Sequence, residues 1–227
     1  MGGMFDMDGL FFRFGTAMAD IIILSLLWII FSIPIFTIGA STTALFYVTT
    51  RRISDREKYV FKDFLFSFRS NFKKATLLWI LWVVVFGFIA FNFFVLLTFE
   101  FDPMMANILL PVQAVMLIEI SITYIYLFPL TARFDMGISQ TIKSAFFMAN
   151  RHIFTTLSSI AAGIAIIIAA TFFPPIFIIG MGLYAYVVSY MFMQLFRKYR
   201  PEIDSNQVSL QELRPIRDDL FEDEKEK

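Results

Sequence analysis

One ionisable residue lies in the middle of an apolar stretch, and it is the first candidate for chemistry in this chain. Glu119 lies near the centre of Ala106–Ala132, a segment of membrane-spanning length whose central part contains no Lys or Arg. Because a charged carboxylate is costly there, we expect an uncharged carboxyl hydrogen-bonded to Thr123 or to Asn92. Two interpretations follow: a proton- or cation-coupled site, and a hydrogen bond that joins two helices. We favour the second.

A group of hydroxyl side chains forms the second candidate. Ser41, Thr42 and Thr43 follow Gly39 and come shortly after Pro34. Hydroxyls beside a broken helix line binding sites in some transporters, whereas small residues also let helices pack closely in lipid. We favour packing, and a polar intramembrane site that combines these hydroxyls with Glu119 is the alternative.

Basic residues are concentrated in one part of the chain. Eight of the nineteen Lys and Arg residues lie between Arg51 and Lys74, with apolar segments on both sides. This pattern marks the cytoplasmic side of a membrane protein and suits contacts with anionic lipid. The candidate contact residues are Arg51, Arg52, Arg69, Lys73 and Lys74.

An acidic residue precedes the first apolar run. Asp20 lies close in sequence to Arg13, and we interpret it as an ion-paired residue at the membrane interface.

The remaining sequence offers little for catalysis or metal binding. Cysteine is absent, and His152 is the single histidine, so a His- or Cys-rich metal site is not expected. No phosphate-binding loop, nucleophile elbow or zinc-protease motif is present. The formal net charge is zero, which does not favour nucleic acid as a partner. We expect no enzyme activity and no cofactor.

Composition and segment length predict the fold. Hydrophobic residues make up 58% of the 227 residues and charged residues 17%, and the apolar residues form long runs. A single helix over Asp20–Thr50 would be about 46 Å long, against a hydrocarbon core of ~30 Å. We therefore predict a hairpin that turns at Pro34–Gly39 and a short second arm. A five-segment arrangement differs in charge only by placing Arg13 outside.

The complete prediction is an all-α polytopic membrane bundle of three helical hairpins, with six membrane segments and short amphipathic interfacial helices. The interfacial helices are expected at Val60–Lys74 and Gln140–Asn150. The second and third hairpins align at an offset of eighty residues, which indicates shared architecture. Residues 1–200 form the predicted membrane domain, residues 201–227 a polar, disordered tail, and both termini are predicted to be cytoplasmic.

The sequence resembles a known family along most of its length, through Arg200. The run FFRFGTAMADIIILSLLWIIFSIPIFTIGASTTALFYVT (Phe11–Thr49) and the run FLFSFRSNFKKAT (Phe64–Thr76) resemble the YesL-like family of bacterial membrane proteins. The likeness is sharpest at Ser32–Ala44 and Ser67–Thr76. That family is a domain of unknown function, and its members typically occur in Gram-positive bacteria beside carbohydrate uptake and sensor genes. The resemblance supplies no catalytic residues.

The expected function follows from this resemblance and from the absence of catalytic motifs. We expect a non-enzymatic accessory or regulatory protein of the cell membrane, associated with carbohydrate uptake or utilisation. Its expected partners are the lipid bilayer and a sugar-uptake transporter or membrane sensor. The alternative is a small proton- or cation-linked transporter or channel that uses Glu119.

Overall fold

The computed structural model describes residues 10–54, 59–99 and 102–211, which form seven α-helices and one short 3₁₀ helix at Ile35–Thr37. The α-helices are α1 Leu10–Ser32, α2 Ile38–Ser54, α3 Val60–Thr98, α4 Pro103–Arg133, α5 Ile138–Arg151, α6 Ile153–Phe172 and α7 Pro175–Gln211. Five of them, α1, α3, α4, α6 and α7, are long and apolar enough to cross a membrane. The described residues therefore have the all-helical architecture of a multi-pass membrane protein, as predicted.

The chain divides into two compact units, residues 1–190 and residues 191–227. The first unit contains α1 to α6 and the beginning of α7. In the second unit, α7 continues to Gln211, past the predicted boundary at residue 200. Residues 212–227 of the predicted tail lie outside the described part of the chain.

The turn between α1 and α2 lies where the sequence predicts it. Proline disfavours helical geometry in the residue before it, and α1 ends at Ser32, two residues before Pro34. The Thr37 hydroxyl donates to the backbone oxygens of Phe31 and Pro34, at 2.6 Å each. Because these bonds satisfy carbonyls that have left the helical ladder, the turn has no need of a longer loop.

Helix α2 is short and largely buried. It contains 17 residues and is not among the five helices long and apolar enough to span, so the predicted total of six segments exceeds that number by one. Its buried residues include Ala40, Ala44, Leu45 and Val48. A helix enclosed by other helices needs small side chains more than it needs high hydropathy, which explains its low apolar content.

Helix α2 packs antiparallel to the first half of α3. Arg51, in the last turn of α2, is 3.6 Å from Asp63 near the start of α3. At the other end of α2, a Cβ atom at Gly39 would lie 2.5 Å from the backbone oxygen of Ala75. The Trp79 indole donates to the oxygen of Ile35 at 3.0 Å. The α1–α2 turn therefore lies beside Trp79, and α3 continues for about five more helical turns beyond it.

Helix α3 corrects one prediction. Val60–Lys74 does not form a separate interfacial helix, because α3 runs without a break over 39 residues to Thr98. No proline occurs in this range, and the lone Gly87 lies far from the predicted junction. Continuous backbone hydrogen bonding then favours one long helix over two short ones.

The predicted second amphipathic segment does form its own helix. Helix α5 buries Thr141, Ala145, Met148 and Ala149 along one face. It ends at Arg151. The next residue, His152, has a backbone (φ −114°, ψ 56°) that is not helical, and α6 begins directly after it. His152 aligns with Phe72 at the offset of eighty residues. The two related parts of the chain therefore differ at this position, since α3 is continuous there.

The close approach at Gly39 yields a test of the α2–α3 packing. Gly39→Ala should separate the two helices, because the new methyl group would meet the backbone oxygen of Ala75 and the Cβ atom of Trp79, neither of which can rotate away. We expect a loss of about 1–3 kcal/mol, which is the usual cost of overpacking, measured as a lower melting temperature in detergent. Gly87→Ala is the matched control, since a Cβ there meets nothing within 4 Å. Equal melting temperatures for the two variants would contradict the contact.

Candidate functional site

The Glu119 carboxyl accepts a hydrogen bond from α5, a helix that the sequence did not identify as its partner. The Asn150 side chain on α5 donates to Oε2 of Glu119 at 2.9 Å and also to the oxygen of Phe146 at 3.1 Å. The expected partners differ: Asn92 donates to the oxygen of Phe88 in its own helix at 2.8 Å. Glu119 thus joins α4 to α5, which agrees with the favoured interpretation of an interhelical hydrogen bond but with Asn150 in place of Thr123 or Asn92.

Glu119 and Thr123 line a cavity of about 340 Å³ between α3, α4 and α5. We call this cavity the α3–α5 groove. The residues that line it are Leu78, Leu81, Trp82, Val85, Glu119, Ile120, Thr123, Leu127, Ile142, Lys143 and Phe146. Its volume falls within the range of small-molecule sites, about 300–1,000 Å³, and its walls are almost wholly apolar.

The three hydroxyl-bearing candidates on α2, Ser41, Thr42 and Thr43, lie outside the α3–α5 groove. Thr42 accepts a hydrogen bond from the Trp28 indole at 3.0 Å, and the Thr43 hydroxyl donates to the oxygen of Gly39 at 2.9 Å. Ser41 is fully buried. None of these three residues lines the α3–α5 groove. The structure therefore does not bring the predicted hydroxyls together with Glu119. The Thr42 bond joins α2 to α1, and the Thr43 bond lies within α2.

Two of the candidate basic residues hold helices together. Arg52 donates to Oδ2 of Asp20 at 2.6 Å, which joins the end of α2 to α1. Arg51 lies 3.6 Å from Asp63 on α3 and donates to the Tyr47 hydroxyl at 2.6 Å. The expectation that Asp20 is ion-paired is confirmed, and its observed partner is Arg52. The side chain of Arg13 lies outside the described part of the structure.

Three exposed basic residues form a line on α3. Lys62, Arg69 and Lys73 are exposed, and their spacings of seven and four residues place them on one face of the helix. We call them the cationic stripe. Lys74 is half-buried and interacts electrostatically with Asp135. Of the five predicted contact residues, Arg69 and Lys73 are therefore the ones whose side chains are open to a partner.

The break at His152 is supported by neighbouring hydroxyls. The Thr156 hydroxyl donates to the oxygens of Ala149 and His152, at 2.9 and 3.1 Å. The Tyr126 hydroxyl lies 3.0 Å from that of Thr156. The Ala149 carbonyl lies at the end of α5, where a helix lacks backbone donors, and the Thr156 hydroxyl supplies one. Within the described ranges, no group of three or more acidic, His or Cys residues could hold a metal ion.

The sequence did not identify two residues of this site: Asn150, which bonds to Glu119, and Lys143, which lines the α3–α5 groove. Both lie on α5, whose apolar and polar faces were recognised, but sequence spacing does not reveal which helix a returning segment will contact. The amphipathic pattern of α5 was the available signal. It identified a helix lying against another surface without identifying that surface as α4.

Fold and site together define a multi-pass helical membrane protein with an apolar groove and an exposed cationic stripe. Residues 21–93 match the model of a family described as "Protein of unknown function, DUF624". That segment contains the second half of α1, all of α2 and most of α3, and it includes the cationic stripe. No curated protein and no solved structure matches the chain.

The ion pair between α1 and α2 allows a double-mutant test. The side chains of Asp20 and Arg52 are only 12% and 21% exposed, so removing one partner leaves a poorly solvated charge. We expect Arg52→Met alone to cost about 3 kcal/mol of stability. Adding Asp20→Leu should recover much of that loss, because no charge then stays buried.

Melting temperatures of the two single variants and the double variant in detergent measure this coupling. The ion pair predicts that the double variant is more stable than Arg52→Met. Purely additive losses would show that the two side chains do not depend on each other.

Proposed function

We propose that this protein is a non-enzymatic accessory or regulatory component of the cell membrane that binds another membrane protein through the cationic stripe. The observation that carries the proposal is that some basic residues form ion pairs within the protein while those of the cationic stripe are exposed. Arg51 and Arg52 are engaged in ion pairs within the protein, whereas Lys62, Arg69 and Lys73 are exposed on one face. Exposed charges in a line favour an acidic partner surface and guide its approach.

The partner class comes from the family resemblance. A YesL-like protein is expected near carbohydrate uptake and sensor genes of bacteria, and the match of residues 21–93 to a family of unknown function does not conflict with that expectation. We therefore assign the partner to the class of carbohydrate-uptake transporters or membrane sensors. The partner segment should be acidic and should lie at the cytoplasmic surface.

The transporter alternative receives less support from the geometry. A coupled site needs polar groups that converge on one place. Glu119 and Thr123 line the α3–α5 groove, but the hydroxyls of Ser41, Thr42 and Thr43 lie on α2 outside that groove. Asn92 bonds to its own helix. A solute pathway would have to use the groove alone, whose walls are nearly all apolar.

The proposed topology has three hairpins, six membrane segments and both termini in the cytoplasm. It is supported by the contacts between α1 and α2. Trp28 bonds Thr42, and Asp20 bonds Arg52, so α2 returns to the level at which the apolar part of α1 begins. Helices α1 and α2 therefore either both enter the membrane or both stay outside it. In both cases α1 begins on the same side of the membrane as Arg51 and Arg52 at the end of α2.

Labelling of single introduced cysteines tests this topology, since the chain has no native cysteine. Gly15→Cys and Ser139→Cys change exposed positions and should react only with reagents that reach the cytoplasm. Met104→Cys, at a position 74% exposed, should react from outside. Reaction of the Gly15→Cys variant from outside would show that α1 crosses the membrane alone and would restore five segments.

Neutralising part of the cationic stripe tests the function. Arg69→Gln with Lys73→Gln should leave membrane insertion intact, because the Arg51 and Arg52 ion pairs remain. Co-purification with the transporter or sensor should fall about fivefold, as expected for two exposed charge contacts. Raising the salt concentration should weaken the wild-type complex in the same way. Lys143→Gln with Arg151→Gln is the control, because it removes the same charge from α5.

A result in partner-free liposomes would overturn the accessory function. Purified protein should move neither protons nor solutes under a gradient. A flux that is lost in Glu119→Gln would establish the transporter alternative instead. Equal losses of co-purification in the stripe variant and in the α5 control would show that net charge, not the stripe, determines binding.

A further inference from the structure

The α3–α5 groove has an open apolar side. Its lining residues Leu81, Val85 and Phe146 are 41%, 40% and 51% exposed, so the groove opens onto a hydrophobic surface. Two of its walls, α3 and α4, are helices long and apolar enough to cross a membrane. A dry, apolar groove of this kind does not retain water, because water there lacks hydrogen-bond partners. Its natural occupant is a hydrocarbon chain.

The lining of the groove includes two ionisable side chains, Glu119 and Lys143. The Glu119 carboxyl is held by Asn150 at 2.9 Å. Lys143 is exposed and lies seven residues before Asn150 on the same helix, about 10 Å away along its axis. The ammonium group of Lys143 attracts an anion. An amphiphile with an anionic head would therefore place its head at Lys143 and its chain along the apolar walls of the groove.

The remaining polar atoms in the groove are occupied or small. The Trp82 indole donates to the oxygen of Ile120 at 3.2 Å, so it is not available to a ligand. Thr123 contributes a single hydroxyl to a wall that is otherwise formed by Leu78, Ile120 and other apolar residues. With so few polar atoms, the groove offers little to a sugar or another hydrophilic solute.

From these features we infer that the α3–α5 groove is a binding site for an acyl chain of an anionic phospholipid, whose phosphate is held by Lys143. The hydrogen bond between Asn150 and Glu119 fixes the end of α5 against α4 and so keeps the groove open at its full width. Glu119 is then a positioning residue for α5. This site is independent of the cationic stripe and does not depend on the proposed partner.

Trp82 provides a reporter inside the groove. Bromine atoms on lipid acyl chains quench tryptophan fluorescence only at contact distance. The protein would be reconstituted in vesicles of phosphatidylcholine with increasing fractions of brominated phosphatidylglycerol, and separately with brominated phosphatidylcholine. Subtracting the quenching of Trp82→Phe isolates the signal of Trp82 from those of Trp28 and Trp79.

The site predicts that brominated phosphatidylglycerol quenches Trp82 with a relative binding constant about fivefold above that of phosphatidylcholine, the preference that one lysine can provide near anionic lipid. Lys143→Gln should abolish the preference, whereas Arg151→Gln, which removes an exposed charge from the same helix outside the groove lining, should leave it unchanged. Thr123→Phe, which fills the groove, should reduce quenching by both lipids.

Two outcomes would overturn the inference. Equal quenching by both lipids, unchanged in Lys143→Gln, would mean that Trp82 meets only the ordinary lipid around the protein. No quenching by either lipid would mean that the groove is closed to acyl chains and is filled by something else. In Glu119→Leu, circular dichroism should show intact helix content while the lipid preference falls. An unchanged preference there would refute the positioning role of Glu119.

Discussion

The close packing of α2 against α3 is the constraint on which the rest of the described structure depends. At Gly39 the two helices approach so closely that a single methyl group would meet the backbone oxygen of Ala75. Within a lipid environment, where hydrocarbon tails compete with apolar side chains, helices associate through such close contacts and through interhelical hydrogen bonds. Once α2 is fixed to α3, the short connection at Pro34 places α1, and the buried face of α2 receives α4.

Hydrogen bonds between α7 and the α1–α2 hairpin also stabilise this packing. Ser25 on α1 accepts from the backbone N–H of Gly182 at 3.0 Å, and Thr49 on α2 is 2.7 Å from Ser189. Both contacts bring the first part of α7 to the α1–α2 hairpin. Small residues again allow the approach, since a Cβ at Gly182 would lie 2.6 Å from the oxygen of Ile21. Gly39 and Gly182 thus both serve helix packing.

Local rules predicted the features that local chemistry determines. Pro34 and the excess length of the first apolar stretch predicted the turn between α1 and α2, and apolar spacing predicted α5. Tertiary contacts determined the features that were missed. Asn150 reaches Glu119 only because α5 lies along α4, and the sequence contains no signal for that choice of neighbour. The continuity of α3 was missed because its charged first half looked like a surface helix, although nothing in the chain interrupts it.

The uninterrupted length of α3 has a mechanical consequence. With 39 residues, the helix is about 58 Å long. The cationic stripe lies near one end, and one wall of the α3–α5 groove lies further along. A continuous helix such as α3 transmits a displacement from one end to the other. The non-helical residue His152, by contrast, separates α5 from α6. Strain applied at the basic end of α3 would therefore be felt in its apolar half, while α6 could keep its own tilt.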